Sequence, residues 1–221
     1  MARVSVIIVA AGEGKRFGSR KQFSFLRGKP ILDWSLETFD NHEGVDEIIL
    51  VLREEEQKEK ILTHYRKVVA VVRGGEIRQD SVIRGFDQIN PDRAEVILVH
   101  DGTRPLVKKD LISRVIEVTL EKGAAVPALS VKDTVKEVEG QVVLRTLERE
   151  KLYRVQTPQG FLYSILKSAL DRVRENNYSG TDEASLVERT GKRIFIVEGD
   201  PKNIKITFPE DIKIAEAFLE D

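Results

Sequence analysis

The chain contains no cysteine. That one absence excludes disulfide bridges, thiolate metal sites and cysteine nucleophiles together, and it makes a cytoplasmic setting the expectation. An excess of charge is missing as well. The 36 Lys and Arg residues against 37 Asp and Glu leave a formal net charge of -1, so cations act through local clusters, and no nucleic-acid partner is expected. No apolar run approaches the length of a membrane span, and a strand-like run starts close to Met1, so neither a membrane anchor nor a signal peptide is expected. Histidine is scarce, with three residues, none of them in a relay motif. His42 and His64 sit in polar stretches and should be exposed, and His100 should pack beside Asp101. A single Met, no Cys and abundant Lys, Arg and Glu lean towards a thermophilic source.

What is present is the composition of a globular α/β protein. With 221 residues, 41% hydrophobic and 33% charged, the chain fits one domain spanning 1–221. Short β-branched runs at "RVSVIIVA", "DEIILVL", "KVVAVV", "AEVILVH" and "AAVPAL" read as strands, mostly separated by helix-period or charged segments. This alternation predicts a mainly parallel sheet covered by helices on both faces, a Rossmann-like three-layer α/β/α domain. Pro30 to Phe39, Arg78 to Ile89, the stretch from Phe161 onward and the closing "FPEDIKIAEAFLED" read as helices. One segment breaks the pattern. In "VKDTVKEVEGQVVLRTLERE", at about 131–150, polar and β-branched residues alternate around "EGQ", which predicts a protruding β-hairpin arm. A two-stranded ribbon is marginal in water, so the arm should pack against a second copy of the chain in a homodimer.

The first strand runs straight into "AGEGKRFGSRKQF". A dinucleotide fingerprint fails there, because the third glycine, Gly18, comes one residue late with Lys15 and Arg16 before it. A P-loop fails too, because Lys15 precedes Arg16 where that motif has Ser or Thr. The turn still suits an anion: glycines let backbone N–H groups approach it, and Arg16 and Lys21 supply mobile positive charge. The bland alternative is an ordinary strand-to-helix turn with solvated bases, although cations at a helix start oppose the dipole.

Two further loops fall at predicted carboxyl ends of strands, the rim on which open α/β sheets bind ligands. In "RGGEIRQDS", Gly74, Gly75 and Ser81 could line a base or ribose pocket, or could simply form a turn with helix-start chemistry around Asp80 and Ser81. In "HDGTRPL", Asp101 suits a hydroxyl or Mg²⁺ and Arg104 a phosphate, although Asp before Gly is also common in turns. In "TDEAS", Thr181 followed by two acids reads most simply as a helix start.

In order and approximate spacing, "AAGEGKRFG", "KQF", "GGEIRQDS", "VHDGTRP", "KDTVK", "TPQGF", "TDEAS" and "NIKIT" resemble the 2-C-methyl-D-erythritol 4-phosphate cytidylyltransferase family. The resemblance runs from the first strand to the last helix. The first motif is shared with sugar nucleotidyltransferases at large, whereas the ordered set is specific. The loop departs from the family where Arg20, and not the usual proline, precedes Lys21.

The resemblance implies a nucleotidyltransferase fold and a reaction: CTP and 2-C-methyl-D-erythritol 4-phosphate would give 4-diphosphocytidyl-2-C-methyl-D-erythritol and pyrophosphate, an isoprenoid-precursor step requiring Mg²⁺ or another divalent metal. It also implies roles. Arg16, Lys21 and Lys205 would be catalytic; Ala10, Ala11, Gly12, Gly14, Gly75, Ser81 and Asp101 would hold the nucleotide, with Asp101 the candidate metal ligand. Arg104, Thr134, Arg149 and Thr157 would bind the polyol phosphate, Thr134 and Arg149 lying on or beside the dimer arm. The alternative is a ribitol-5-phosphate cytidylyltransferase or another sugar-phosphate nucleotidyltransferase, which shares most or some of these motifs.

Overall fold

A computed structural model describes residues 2–14, 16–53, 58–176 and 178–220. Its centre is an eight-stranded sheet. Four strands run parallel: β1 (Val4–Ala10), flanked by β4 (Glu47–Leu52) and β6 (Val96–Asp101), with β5 (Val68–Arg73) outside β4. The short strands β2 (Phe25–Leu26) and β3 (Lys29–Pro30) form a separate hairpin. Beyond β6 the sheet turns mixed. There β7 (Ala124–Ser130) pairs antiparallel with β10 (Tyr153–Val155) and β11 (Gln159–Leu162), β11 also pairs antiparallel with β6, and β12 (Phe195–Glu198) lies parallel to β7.

The central strands are buried on both faces, which is why they read as unbroken apolar runs. Val6, Ile8 and Ala10 of β1 join one core with Ile48, Leu50 and Leu52 of β4, while Ile7, Ile49 and Val51 join the other. The first core is covered by α1 (Ile31–Asp40), α2 (Lys58–His64) and α4 (Lys109–Lys122). The second is covered by α3 (Arg78–Phe86), α5 (Tyr163–Asn176) and α6 (Glu183–Glu188). The terminal helix α7 (Glu210–Phe218) closes a smaller core of Leu26, Ile31, Leu106, Ile206 and Ala215. Helices on both faces of a mostly parallel sheet are the expected architecture. No helix among the described residues is long and apolar enough to cross a membrane.

The arm is a hairpin of β8 (Lys136–Glu139) and β9 (Val142–Thr146), turning at Gly140, whose φ of +58° suits the tight two-residue connection. It belongs to neither core.

Four local expectations are corrected. Phe161 lies in strand β11 and the helix begins only at Tyr163, because Phe161 pairs with Ile97 and Ala124 in the sheet. The helix from Arg78 stops at Phe86, short of Ile89. Thr181 is not the cap of its helix: Asp182 is, accepting from the Ser185 N–H at 2.9 Å. His42 is 5% exposed, not solvated, because its ring bridges the Lys109 carbonyl, the Ser113 hydroxyl and the Gly44 N–H.

Candidate active site

The chain leaves β1 towards β4 and later returns to β6 on the opposite side of β1. The carboxyl ends of β1 and β6 therefore open a crevice where the strand order reverses, the usual ligand position in such sheets. A cavity of about 640 Å³ lies there. It is lined by Ala10, Ala11, Gly12 and Gly14 of the first turn, by Gly75 and Ser81 after β5, by Asp101 at the end of β6, and by Arg16, Lys21 and Lys205. Residues scattered over nearly the whole sequence thus meet at one place. Lys15 lies outside the described residues.

The glycine turn is built by close contact. Gly14 takes a φ of +69°, and a Cβ there would stand 1.8 Å from the Ser19 carbonyl oxygen, so only glycine lets the loop fold back on itself. Around Ser19 and Arg20, the Ser19 carbonyl accepts from Lys21 N–H at 2.8 Å, and a single 3₁₀ turn over Lys21–Phe23 follows. This turn delivers Lys21 to the cavity. Gly74 is equally constrained, since a Cβ would meet the Ala11 Cβ at 2.3 Å. The Ser81 hydroxyl accepts from Gly75 N–H at 3.1 Å and donates to the Ile77 carbonyl at 3.2 Å, so it shapes the pocket loop and opens its helix together.

Asp101 is the electrostatic centre. Its Oδ1 accepts from Arg78 Nε at 2.9 Å, its Oδ2 lies 2.8 Å from Lys205 Nζ, and Arg104 Nε stands 3.7 Å from Oδ2. Burial opposes ionisation, but Arg78, Lys205 and Arg104 outweigh it and hold the carboxyl well below the usual carboxylate range. For Lys21 the balance runs the other way: burial, then the charges of Lys205 and Arg16, lower its ammonium from the ordinary lysine value. Cations crowded around Lys21 make a site ready for an anion.

Four candidates do not line the cavity. Arg104 is almost wholly buried behind Asp101, donating to the Asn203 carbonyl at 2.8 Å. Thr157 is buried there too, its hydroxyl accepting from Asp101 N–H and meeting His100 Nδ1, both at 3.1 Å. Thr134 and Arg149 are exposed at the base of the arm, where Arg149 donates to the Lys132 carbonyl at 3.0 Å. His100 is fully buried, and burial pushes its imidazole down to about 3, so it is neutral at working pH.

Sequence reasoning missed Arg53, Arg78 and Glu183. Arg53 lines the cavity and pairs with Glu13 at 2.6 Å. Arg78 lies inside a motif singled out above, yet nothing local distinguishes it from a solvated helix-start arginine. Glu183 sits beside the true cap and is 1% exposed, bound to Arg78. Its partner is distant in sequence, so no local signal reveals it. Among the described residues no three His, Cys, Asp or Glu side chains converge on a point. An all-protein metal cage is therefore not present among them; Asp101 is one ionised carboxylate at the cavity, its oxygens paired with Arg78 and Lys205, so a hard cation there would be held mainly by phosphates and would share Asp101 with Lys205.

Comparison with known proteins points one way. A family model described as 2-C-methyl-D-erythritol 4-phosphate cytidylyltransferase (IspD) matches residues 4–221. Proteins of that name from Geobacillus thermodenitrificans and Alkaliphilus metalliredigens are 43% and 44% identical, over 96% and 99% of this chain and 95% and 93% of theirs. The crystal structure of 2-C-methyl-D-erythritol 4-phosphate cytidylyltransferase from Thermus thermophilus superposes with a TM-score of 0.82 at 35% identity, covering 99% of this chain and 100% of the other. A 4-diphosphocytidyl-2C-methyl-D-erythritol synthase from Anaerococcus prevotii gives 0.88 at 31%, covering 100% and 97%.

Proposed function

The chain belongs to the 2-C-methyl-D-erythritol 4-phosphate cytidylyltransferase family, and from that premise we propose how its cavity moves a cytidylyl group from CTP to 2-C-methyl-D-erythritol 4-phosphate, giving 4-diphosphocytidyl-2-C-methyl-D-erythritol and pyrophosphate for isoprenoid-precursor synthesis. The observation that carries the proposal is the meeting of Arg16, Lys21 and Lys205 with the backbone of Ala10 to Gly14 in one cavity at the switch point. Ala11, Gly75 and Ser81 hold the nucleoside, the glycine turn its phosphates, and Asp101 a ribose hydroxyl or the metal.

A phosphate oxygen of the polyol forms a bond to the α-phosphorus of CTP. The bond from that phosphorus to the α–β bridging oxygen breaks, and its electron pair departs with pyrophosphate. The nucleophile is largely ionised at neutral pH, its second pKa being about 6, so no general base is needed. His100, neutral and enclosed, and His42, bonded to Lys109 and Ser113 of α4 and not among the cavity lining, support that reading. The barrier is electrostatic, an anion approaching an anion. Arg16 and Lys21 stabilise the charge growing on the equatorial and leaving oxygens. Lys205, fixed by Asp101, holds the attacking phosphate beside the α-phosphate. A divalent cation such as Mg²⁺, held by Asp101 and the triphosphate, would supply further charge neutralisation when bound.

The chain works as a homodimer through the arm, in a cytoplasmic setting. Val138, Val142, Val143 and Leu144 are each more than half exposed on a ribbon that has no core of its own. Thr134 and Arg149, absent from their own cavity, then serve the polyol phosphate in a second copy's site.

Pyrophosphate release, measured with Mg²⁺, each nucleoside triphosphate and each candidate polyol phosphate, tests the proposal. Release is expected only with CTP and methylerythritol phosphate. Silence with that pair overturns it, and release with ribitol 5-phosphate alone moves the chain to that substrate.

A further inference from the structure

Glu183, at 1% exposure, is used by no step above. Removing a carboxylate from water costs several kcal/mol, and an apolar side chain would fill the same space without that penalty. Its contacts explain why it is there. Both of its oxygens accept from Arg78 Nη1, at 2.7 and 2.9 Å, while Arg78 Nε donates to Asp101 Oδ1 at 2.9 Å. The guanidinium is thus gripped at two places by two anions, one from α6 and one from the end of β6. With Oδ1 occupied by Arg78, the other oxygen of Asp101 is the one that meets Lys205, at 2.8 Å. A chain of charges, Glu183 to Arg78 to Asp101 to Lys205, runs from a buried helix to the cavity.

We propose that Glu183 is a positioning residue for the transfer reaction, holding Arg78 so that Arg78 fixes the Asp101 carboxylate and, through it, the Lys205 ammonium. Arg78 is itself partly exposed to the cavity. Released from Glu183, it can swing towards solvent or collapse onto both oxygens of Asp101 and compete with Lys205. Glu183 touches no substrate, so its loss acts on the geometry of transfer more than on nucleotide affinity. Burial pushes its carboxyl up, and the charge and hydrogen bonds of Arg78 oppose this.

The inference rests on the proposed role of the cavity, and the test separates the two. Glu183→Gln keeps the volume and one acceptor oxygen but removes the charge. Its kcat should fall about 10- to 100-fold, the range for residues that orient a functional group from behind, with the KM for CTP within about threefold of wild type. Combined with Arg78→Lys, it should cost nothing beyond Arg78→Lys alone, because both act on one strut. A crystal structure of Glu183→Gln should show the guanidinium displaced. Wild-type kcat, penalties that multiply in the double variant, or unmoved Arg78 and Asp101 each overturn the proposal. Should Glu183→Gln not fold, Glu183→Asp, which keeps the charge but shortens its reach, takes the same measurements. An inactive wild-type protein would refute the function, and the crystal structure would still decide the strut.

Discussion

His100 should cost this fold stability as pH falls below about 6.5. The imidazole is fully enclosed, its Nδ1 at 3.1 Å from the Thr157 hydroxyl and its Nε2 at 3.3 Å from the Arg104 carbonyl. Burial pushes it from 6.5 to about 3. The unfolded chain therefore takes up a proton as pH falls through about 6.5, while the folded chain refuses it until about 3. Stability is full above the unfolded value and is lost progressively across that window, at about 1.4 kcal/mol per pH unit and about 4–5 kcal/mol in total as a ceiling. Asp101, held low by Arg78, Lys205 and Arg104 against its burial, adds loss of the same sign only below about pH 4. His42, lowered by burial, adds to the same window, so the difference between wild type and His100→Gln isolates the residue. Denaturant unfolding followed between pH 6 and pH 4.5 should give the wild type a slope steeper by about 1.4 kcal/mol per pH unit. Parallel curves would refute the reasoning, whatever the variant's stability at pH 7.

Lys21→Ala should lose turnover by about 10²- to 10³-fold, as for removal of one preorganised donor, with a far smaller change in substrate binding; near-normal kcat in steady-state assays would contradict its role. Gly74→Ala should destabilise the fold by about 1–3 kcal/mol, because its Cβ would stand 2.3 Å from Ala11 Cβ and 2.8 Å from Ser81 Oγ; an unchanged melting temperature would show that the loop yields freely. Replacing the arm between Lys132 and Arg149 by a short turn should convert the proposed dimer to a monomer on gel filtration and abolish polyol-phosphate turnover. An unchanged elution volume would sink the arm as the dimer contact.

Much of the fold was legible in the chain because its signals are local. The doubly buried strands β1, β4 and β6 are runs rich in Val and Ile, the edge strand β5 is β-branched although partly exposed, and helix α1 carries its apolar stripe openly: Ile31, Leu32, Ser35, Leu36 and Phe39 are all buried. The strands β10, β11 and β12 were not read, being short and specified by their pairing with β6 and β7 more than by their own residues. Phe161 shows this well: its spacing continues a helix, but its backbone bonds belong to the sheet. His42 was misread for a related reason, because its polar neighbours are exposed while distant Lys109 and Ser113 enclose its ring.

The sequence by itself determined the alternation of strand and helix, the glycines that permit the first turn, and the ordered motifs that carry the family resemblance. Each is a property of a short stretch, fixed by sterics, periodicity or backbone freedom. Only the tertiary structure decided which charges meet. Arg78 and Glu183 are 105 positions apart and make a part-buried pair, Asp101 gathers three cations from three different segments, and Thr134 and Arg149 are carried away from the cavity. Electrostatic energy depends on distance through space and on burial, and neither quantity is written in the local order of residues.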